Sequence, residues 1–131
     1  MGEKAQVSLE YLILLAAFFS FFGLMLPVII GVTQNIVFSS DDLLAKRISE
    51  EIQEQVGLFE YLGDGSEKVF EYVPASKIIL YSSGSEIVID STRKQFKVIC
   101  SSPQSIQKQE FSNKFFLKIQ KEQNSVRVVA S

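Results

Sequence analysis

Glu10 stands at the start of a long apolar stretch, and its carboxylate is the group whose chemistry most needs explaining. The next charged residue along the chain is Asp41. Carrying a carboxylate into a bilayer costs a few kcal/mol or more, so such a residue is by default a sign of function that requires a partner. The cation that pairs with Glu10 is therefore the first functional question that the sequence raises.

The other side chains give little support to an enzyme. The chain has no histidine and one cysteine, Cys100, which excludes Ser–His and Cys–His nucleophilic pairs, the common zinc sites and an intramolecular disulfide. The net charge is -2, and the basic residues form no stripe of the kind that binds nucleic acid. The segment Asp64–Glu67 lacks the ligands and spacing of a calcium loop. We therefore expect no active site, cofactor, metal or nucleic-acid partner.

The apolar stretch is long enough to span a membrane. Its 22 positions from Tyr11 to Val32 reach about 33 Å at roughly 1.5 Å per residue, against a hydrocarbon core of about 30 Å. The exceptions to its apolar character are Ser20, Gly23, Pro27 and Gly31. The remaining chain is too short to surround such a helix as a soluble core, so the stretch predicts a membrane helix.

A secretory signal peptide is the other interpretation of this stretch, and it fits poorly. Signal peptides have an apolar region of about 7 to 15 residues, a basic stretch before it and a small-x-small cleavage site after it. Here the run is longer, Lys4 is the only preceding basic residue, and no such site follows Val32. We expect the segment to stay on the mature chain, with a cytoplasmic amino terminus slightly favoured by the flanking charges.

Four residues at the start of the apolar run form a motif. Gln6, Ser8, Glu10 and Leu14 match the pattern Q-x-S-x-E-x-x-x-L. This pattern resembles the class III signal peptide of archaeal type IV pilins. Four fixed identities meet by chance roughly once in 10^4 to 10^5 placements, so the match is fairly specific. The resemblance covers about the first 35 residues and, beyond them, only the general layout of the family.

The resemblance implies a processing site. In this family a membrane-embedded prepilin peptidase cuts on the cytoplasmic side just before the glutamine, which here falls between Ala5 and Gln6. Residues 1–5, MGEKA, would be the hydrophilic leader that is removed, with Lys4 next to its last residue. Ala5 departs from the glycine that is commoner at this position, although alanine is also small.

Cleavage at this point would create a cation close to Glu10. The new amino terminus at Gln6 lies four residues ahead of the carboxylate. The resemblance implies that Glu10 meets the N-terminal amine of a neighbouring subunit, and such a buried pair can set the axial register of stacked helices. The alternative is that Glu10 snorkels to the cytoplasmic headgroups.

Gly23 and Pro27 are a candidate kink, since proline removes a backbone hydrogen bond from a helix. Bacterial type IV pilins often carry a proline in a similar place, but prolines are also tolerated in ordinary membrane helices, so both interpretations stay open. The resemblance makes residues 6–38 a transmembrane and polymerisation helix.

The sequence then changes to the pattern of an amphipathic helix. The opposite side of this helix is charged. Apolar residues recur at helical spacing on one side, at Leu44, Ile48, Ile52, Val56 and Phe59. This predicts a half-buried continuation of the helix over residues 39–62, ended by Gly63 and Gly65. Asp42 and Lys46 are spaced for an ion pair on its exposed side.

Two arrangements of the helix are compatible with this pattern. Ser39 and Asp42 form a capping-box pattern that would start a separate helix. We favour one continuous helix, because Thr33–Phe38 contains neither Gly nor Pro. The helix would then be both a membrane segment and part of a folded core.

Everything after Glu67 predicts short strands separated by turns. The strands are expected at residues 68–73, 77–82, 86–91, 94–100, 114–120 and 125–130. Alternation places apolar side chains on one face, namely Phe70, Tyr72, Ile87, Ile89, Phe96, Val98, Phe115, Leu117, Ile119, Val126 and Val128. Only the amphipathic helix can cover that face. The predicted fold is α+β, with a long helix, hydrophobic and then amphipathic, packed on a small antiparallel β-sheet domain over residues 67–131, as in the pilin lollipop.

Two further features of this domain carry expectations. Cys100 continues the apolar face and is expected to be a buried, inert thiol, with an intermolecular disulfide as the alternative. The segment Ser101–Asn113 is the longest irregular stretch and is expected to be a surface-exposed, variable or adhesive loop.

The resemblance gives the function that we expect. The chain would be a structural subunit of a type IV pilus-like filament, held in the cytoplasmic membrane as a precursor and then carried to the cell surface for adhesion. Its partners would be copies of itself, the prepilin peptidase and the assembly ATPase with its membrane platform. The alternative is a single-span membrane protein whose outer β domain binds a ligand or partner and never polymerises.

Overall fold

A computed structural model describes residues 2–131, with the side chains of residues 3–5 outside the described part. The described residues form one helix and seven strands: α1 Gly2–Phe59, β1 Glu67–Tyr72, β2 Ile78–Ser83, β3 Glu86–Asp90, β4 Gln95–Ile99, β5 Gln109–Phe111, β6 Phe115–Glu122 and β7 Ser125–Ala130. The predicted α+β class, a long N-terminal helix packed on antiparallel strands, is confirmed. The chain divides into a first unit, ending at Ile36, and a second unit, Val37–Ser131.

In the first unit, α1 is uncovered. From Gln6 to Ile30 every side chain is exposed, and the most apolar window of the helix is 0% buried. By length and composition this helix can cross a membrane, as a membrane anchor or a signal sequence does. α1 includes both Pro27 and Ser39, so a separate helix starting at Ser39 is wrong and the continuity that we favoured is confirmed.

The second unit contains two antiparallel sheets where the sequence suggested one. One sheet has the order β1-β6-β7 and the other has the order β4-β3-β2-β5. Alternation along a strand predicts its faces but not its neighbours, which explains why the division into two sheets was not visible in the sequence. The turn between β2 and β3 pairs Ser83 with Glu86 and uses Gly84 at a φ of +65°, a conformation that favours glycine.

The core of the second unit lies between α1 and the inner faces of both sheets. The helix contributes a stripe of buried residues, namely Ala45, Ile48, Ile52, Val56 and Phe59. The predicted apolar strand faces are buried or half-buried in the same cluster, with Phe115, Leu117, Ile119 and Ile89 almost fully enclosed. The predicted face assignments are therefore confirmed, and Leu44 lies at the edge of the core.

Two local expectations about the helix are wrong. The sequence predicts an amphipathic helix over residues 39–62, but α1 ends at Phe59 and is followed by turn hydrogen bonds from Tyr61 N–H and Leu62 N–H. The Asp42–Lys46 pair is wrong, because Asp42 accepts a hydrogen bond from Ser91 while Lys46 lies 3.6 Å from Glu50.

The expected surface loop Ser101–Asn113 is wrong in its middle part. Gln104 and Ile106 are buried, and Gln109–Phe111 forms the edge strand β5. A buried glutamine in an irregular segment carries no periodic signal, and a three-residue strand is too short to show alternation. The segment is thus partly a component of the core.

Candidate functional site

The motif residues lie near the start of α1. Gln6, Glu10 and Leu14 are spaced by four and share one face of the helix, whereas Ser8 points elsewhere. All four side chains are exposed. Helix geometry separates Gln6 from Glu10 by about 6 Å along the axis, or roughly one turn. If the chain were cut before Gln6, the new amino group on Gln6 and the Glu10 carboxylate would both be open to a neighbouring chain.

Glu10 has no partner within the described side chains. None of their ion pairs involves it. Lys4 and Ala5, which belong to the predicted processing site, have side chains outside the described part, so their roles stay a prediction. The arrangement leaves Glu10 as an exposed carboxylate at the edge of an apolar helix surface.

Two hydroxyl groups, one inside the apolar run and one directly after it, are satisfied by the helix itself. Ser20 Oγ donates to the carbonyl of Ala16 and Thr33 Oγ1 donates to the carbonyl of Ile29, both at 2.8 Å. In lipid, polar groups need such internal partners because no water is present. These two bonds are compatible with a membrane environment. Pro27 lies inside α1, and the kink expected at Gly23 and Pro27 stays a prediction.

Asp41 ties the helix to the connection between β1 and β2. Its side chain is completely buried, and its two oxygens accept hydrogen bonds from the backbone N–H groups of Ala75, Ser76 and Lys77 at 2.7, 3.0 and 3.2 Å. A buried carboxylate is tolerated when it receives several hydrogen bonds. The sequence analysis missed this role. Asp41 lies four residues before Ala45 on the buried stripe, which is the signal that could have revealed it.

A second polar connection joins the helix to β1. Tyr72 donates its hydroxyl hydrogen to Glu51, and Arg47 Nε donates to the other oxygen of Glu51 at 3.0 Å. Glu51 raises the pKa of Arg47, while burial and the bond to Glu51 raise the pKa of Tyr72. The cluster therefore favours the neutral phenol of Tyr72 and the charged guanidinium of Arg47.

Gln104 connects the two sheets. Its side-chain amide donates to the carbonyl of Val126 at 2.7 Å and accepts from the N–H of Val128 at 3.0 Å, as a neighbouring strand would. Its backbone N–H donates to the carbonyl of Gly84 at 2.8 Å, and its carbonyl accepts from Ser82 Oγ at 2.9 Å. One residue therefore covers the outer edge of β7 and binds the β2–β3 hairpin.

Metal ligands and the single thiol are the remaining candidates for chemistry in the second unit. Among the described residues, no three or more His, Cys, Asp or Glu side chains cluster in a way that could hold a metal ion. Cys100 is buried, as predicted, and burial raises the pKa of its thiol. The polar clusters of the second unit, around Asp41, Glu51 and Gln104, connect elements of the fold.

Comparisons with protein-family models, with curated proteins and with solved structures found no match to this chain.

Proposed function

We propose that the chain is a structural subunit of an archaeal type IV pilus-like surface filament, processed by a prepilin peptidase and polymerised through its N-terminal helix. The observation that carries this proposal is the combination of the motif Gln6, Ser8, Glu10 and Leu14 with an apolar helix that its own chain leaves uncovered. Exposed apolar surface of this extent requires lipid or other copies of the helix. A pilin uses both in succession.

The chemistry of Glu10 supports the same proposal. Within the described side chains it has no cation, although a carboxylate in an apolar setting needs one. Cleavage before Gln6 would create an ammonium group, and a neighbouring copy would bring that group to Glu10. The paired charges would fix how far one helix slides along the next, because a buried charge left unpaired is strongly unfavourable.

In this proposal the two units have different tasks. The first unit holds the precursor in the cytoplasmic membrane, with its amino terminus in the cytoplasm, and later packs in the filament interior. The second unit, which has its own core, forms the outer surface and is the part that meets other cells or solid supports. The other partners are the prepilin peptidase and the assembly ATPase with its membrane platform, and the chain itself performs no catalysis.

The mature amino terminus tests the proposal. The full chain is expressed in an archaeal cell with an active prepilin peptidase, and mass spectrometry identifies the N-terminal peptide. We expect a chain that begins at Gln6, either with a free amine or cyclised. An Ala5→Leu variant places a bulky side chain before the cut and is the matched control, expected to keep residues 1–5.

An uncleaved native chain in cells that process their own pilins would overturn the proposal. It would favour a single-span membrane protein whose outer domain binds a ligand or partner without polymerising. Electron microscopy of purified surface filaments, with this chain identified in them by mass spectrometry, provides the complementary measurement.

A further inference from the structure

Two strands of the second unit lie at uncovered edges of their sheets. In the orders β1-β6-β7 and β4-β3-β2-β5, the end strands β1 and β4 each have one neighbouring strand. The other two ends are less open, since Gln104 bonds to the edge of β7 and β5 is only 3 residues long. An uncovered edge presents backbone N–H and C=O groups with which a strand of another chain can pair. β1 and β4 are therefore the places where a further strand can extend the fold.

On β1, every second residue turns its backbone groups away from the sheet. Residues of an antiparallel strand direct their N–H and C=O groups alternately to one side and to the other. Lys121 N–H donates to the carbonyl of Ser66 at 2.8 Å, which fixes this alternation along the register of β1 with β6. The residues whose backbone groups point outwards are Glu67, Val69 and Glu71. No hydrogen bond among the described residues uses these groups.

β4 has the same arrangement. Cys100 N–H donates to the carbonyl of Ser85 at 2.8 Å, which fixes the alternation here. The residues with outward backbone groups are Gln95, Lys97 and Ile99. These groups too have no partner in the part of the chain that the structure describes. In both strands the same residues also expose their side chains on the face away from the core, so two sheets joined at these edges would keep their outer faces on the same side.

The outer side chains of these edges match in one antiparallel register. When Val69 is set opposite Ile99, Glu71 falls opposite Lys97. Val69 and Ile99 are 53% and 74% exposed in their own copy, so each would cover the other. Glu71 and Lys97 carry opposite charges, which stabilises a cross-strand pair. Each of these two pairs can exchange two backbone hydrogen bonds, which gives about four in all.

The inner side chains match in the same register. Phe70 falls opposite Val98, and Tyr72 falls opposite Phe96, so apolar residues meet apolar residues across the joint. Phe70 and Phe96 are only partly buried in their own copy, where they pack against the rim of the core. A strand added at either edge would cover the part that is still exposed.

The ion pairs already present at the two edges are compatible with this register. Glu71 lies 2.7 Å from Lys114, and Lys97 lies 3.7 Å from Glu86. A carboxylate accepts several hydrogen bonds and an ammonium group donates three, so neither pair has to break. The joined edges would place the charges in alternating order, namely Glu86, Lys97, Glu71 and Lys114.

Pairing of either strand with a copy of itself is less favourable. Two β1 strands paired antiparallel about Val69 oppose Glu67 to Glu71, and two β4 strands paired about Lys97 oppose two lysines. Like charges directly opposite each other destabilise a sheet. β4 is therefore the edge that complements β1.

Within one copy, β1 and β4 are held by α1 and not by each other. Tyr72, at the end of β1, bonds to Glu51 of the helix. Ser101, just after β4, bonds to Glu60, which follows the helix directly. The two strands belong to different sheets and share no register. The complementary edge must therefore come from a second copy.

We propose that β1 of one copy pairs with β4 of the next copy, antiparallel and with Val69 opposite Ile99. The proposal rests on the function suggested above, since a filament supplies the neighbouring copies. A contact between two different surfaces of identical copies continues into an open array unless its rotation closes a ring. Each joint is short, but effective concentration strengthens a contact between copies that their helices already hold together.

Site-directed cross-linking tests the register. Two full-length variants, Val69→Cys and Ile99→Cys, are expressed together in the cells used for the processing experiment and mildly oxidised. The α-carbons of a hydrogen-bonded pair lie about 5.5 Å apart, within the range of a disulfide. We expect a disulfide-linked dimer that contains one copy of each variant. A dimer that forms equally well from Val69→Cys alone would overturn the pairing of β1 with β4.

Lys97→Pro tests whether backbone hydrogen bonds make the joint. Proline removes the outward N–H of β4, which has no partner in its own copy, and proline is tolerated at such edge positions. Added to the Ile99→Cys chain, it should lower the dimer yield at least about tenfold. In a chain that carries Lys97→Pro alone, slow labelling of the buried Cys100 by a thiol reagent confirms that the second unit is folded. An unchanged yield would overturn the proposal.

A charge exchange tests the same joint without proline. Glu71→Lys in the Val69→Cys chain sets two lysines opposite each other and should lower the dimer yield about threefold. Lys97→Glu in the Ile99→Cys chain should then restore it. A yield that ignores both changes would contradict the proposed register.

Two controls make the cross-link specific. The native chain, whose only thiol is the buried Cys100, should give no dimer. Asn124→Cys replaces Val69→Cys in the second control, since Asn124 is exposed in the turn between β6 and β7. No dimer above the native chain, or an equal yield with Asn124→Cys, overturns the contact.

The mature amino terminus, read in the same samples, separates the two proposals. Processed filaments without the cross-link would overturn the strand pairing and leave the filament function intact. An unprocessed chain would count against the filament function, whereas the cross-link yield would still decide whether β1 and β4 pair between copies held in the membrane.

Discussion

At the scale of single residues, the fold makes the ionisation of two buried groups of the second unit less favourable than in the unfolded chain. The pKa of Tyr72 is raised above its ordinary value of 10.0, first by burial and then by the bond to Glu51. The pKa of Cys100 is raised above 9.0 by burial alone. In both cases the folded chain holds a proton that the unfolded chain releases more easily.

The stability of the second unit should therefore decrease in alkali. Below about pH 9 both states keep these protons, so the contribution of the two groups is complete. As the pH passes the ordinary values of 9.0 and then 10.0, the unfolded chain loses protons that the folded chain retains, and the free energy of unfolding falls. Urea unfolding followed by circular dichroism across this pH range measures the effect.

Tyr72→Phe is the matched variant for this prediction. It removes the phenol but leaves Glu51 paired with Arg47, so we expect a loss of about 1 kcal/mol at neutral pH and a weaker decrease in alkali. The native chain and the variant should differ less as the pH rises. A difference that does not change with pH would contradict a protonated Tyr72 in the folded state.

At the scale of elements, the sequence predicted what each segment is but not what holds the segments together. Apolar residues recurring at helical spacing in α1 and at every second position along the strands revealed the helix stripe and six of the seven strands, since both depend on near neighbours in the chain. Asp41 and Gln104 act across 34 and 22 residues of sequence, respectively. Such polar connections depend on which loops meet in space. The periodicity of apolar residues along a single sequence does not reveal these meetings.

Asp41→Asn should loosen the connection between α1 and the segment before β2. The asparagine keeps one acceptor oxygen but turns an amide group towards backbone N–H donors, so at least one buried donor loses its partner. We expect the free energy of unfolding to fall by about 2 to 3 kcal/mol. The rate at which a thiol reagent labels the buried Cys100 in increasing urea reports the opening of this unit.

Asp42→Asn is the matched control. Asp42 accepts one hydrogen bond, from Ser91, and asparagine can still accept it, so a loss under about 1 kcal/mol is expected. Equal losses in the two variants would contradict a special role for Asp41. A normal unfolding curve for Asp41→Asn would show that the three backbone N–H groups find other partners.

At the scale of the whole molecule, the two units have opposite solvent requirements. The second unit encloses a core of apolar residues between a helix and two sheets, whereas the first unit leaves its large apolar side chains exposed. Sequence composition predicted this contrast and drew attention to Glu10 as the unusual group. In the function that we propose, the partner of Glu10 is the amino group that cleavage creates on a second copy. That partner is not a residue of the sequence, so the sequence predicts the carboxylate of the candidate site but not the group that pairs with it.

Glu10→Ala tests the proposed pairing of Glu10 with the amino terminus of a neighbouring copy. Removing the carboxylate makes the helix more apolar, so insertion into the membrane should be unimpaired, and the residues beside the Ala5–Gln6 bond are unchanged. The N-terminal amine of each mature copy would then lack an anion between packed helices. We expect chains that begin at Gln6 by mass spectrometry but a filament yield, counted by electron microscopy, at least about tenfold lower. Glu10→Asp keeps the charge on a shorter side chain and should retain part of the yield. Normal filaments built from Glu10→Ala would show that the register of the helices is set elsewhere along α1.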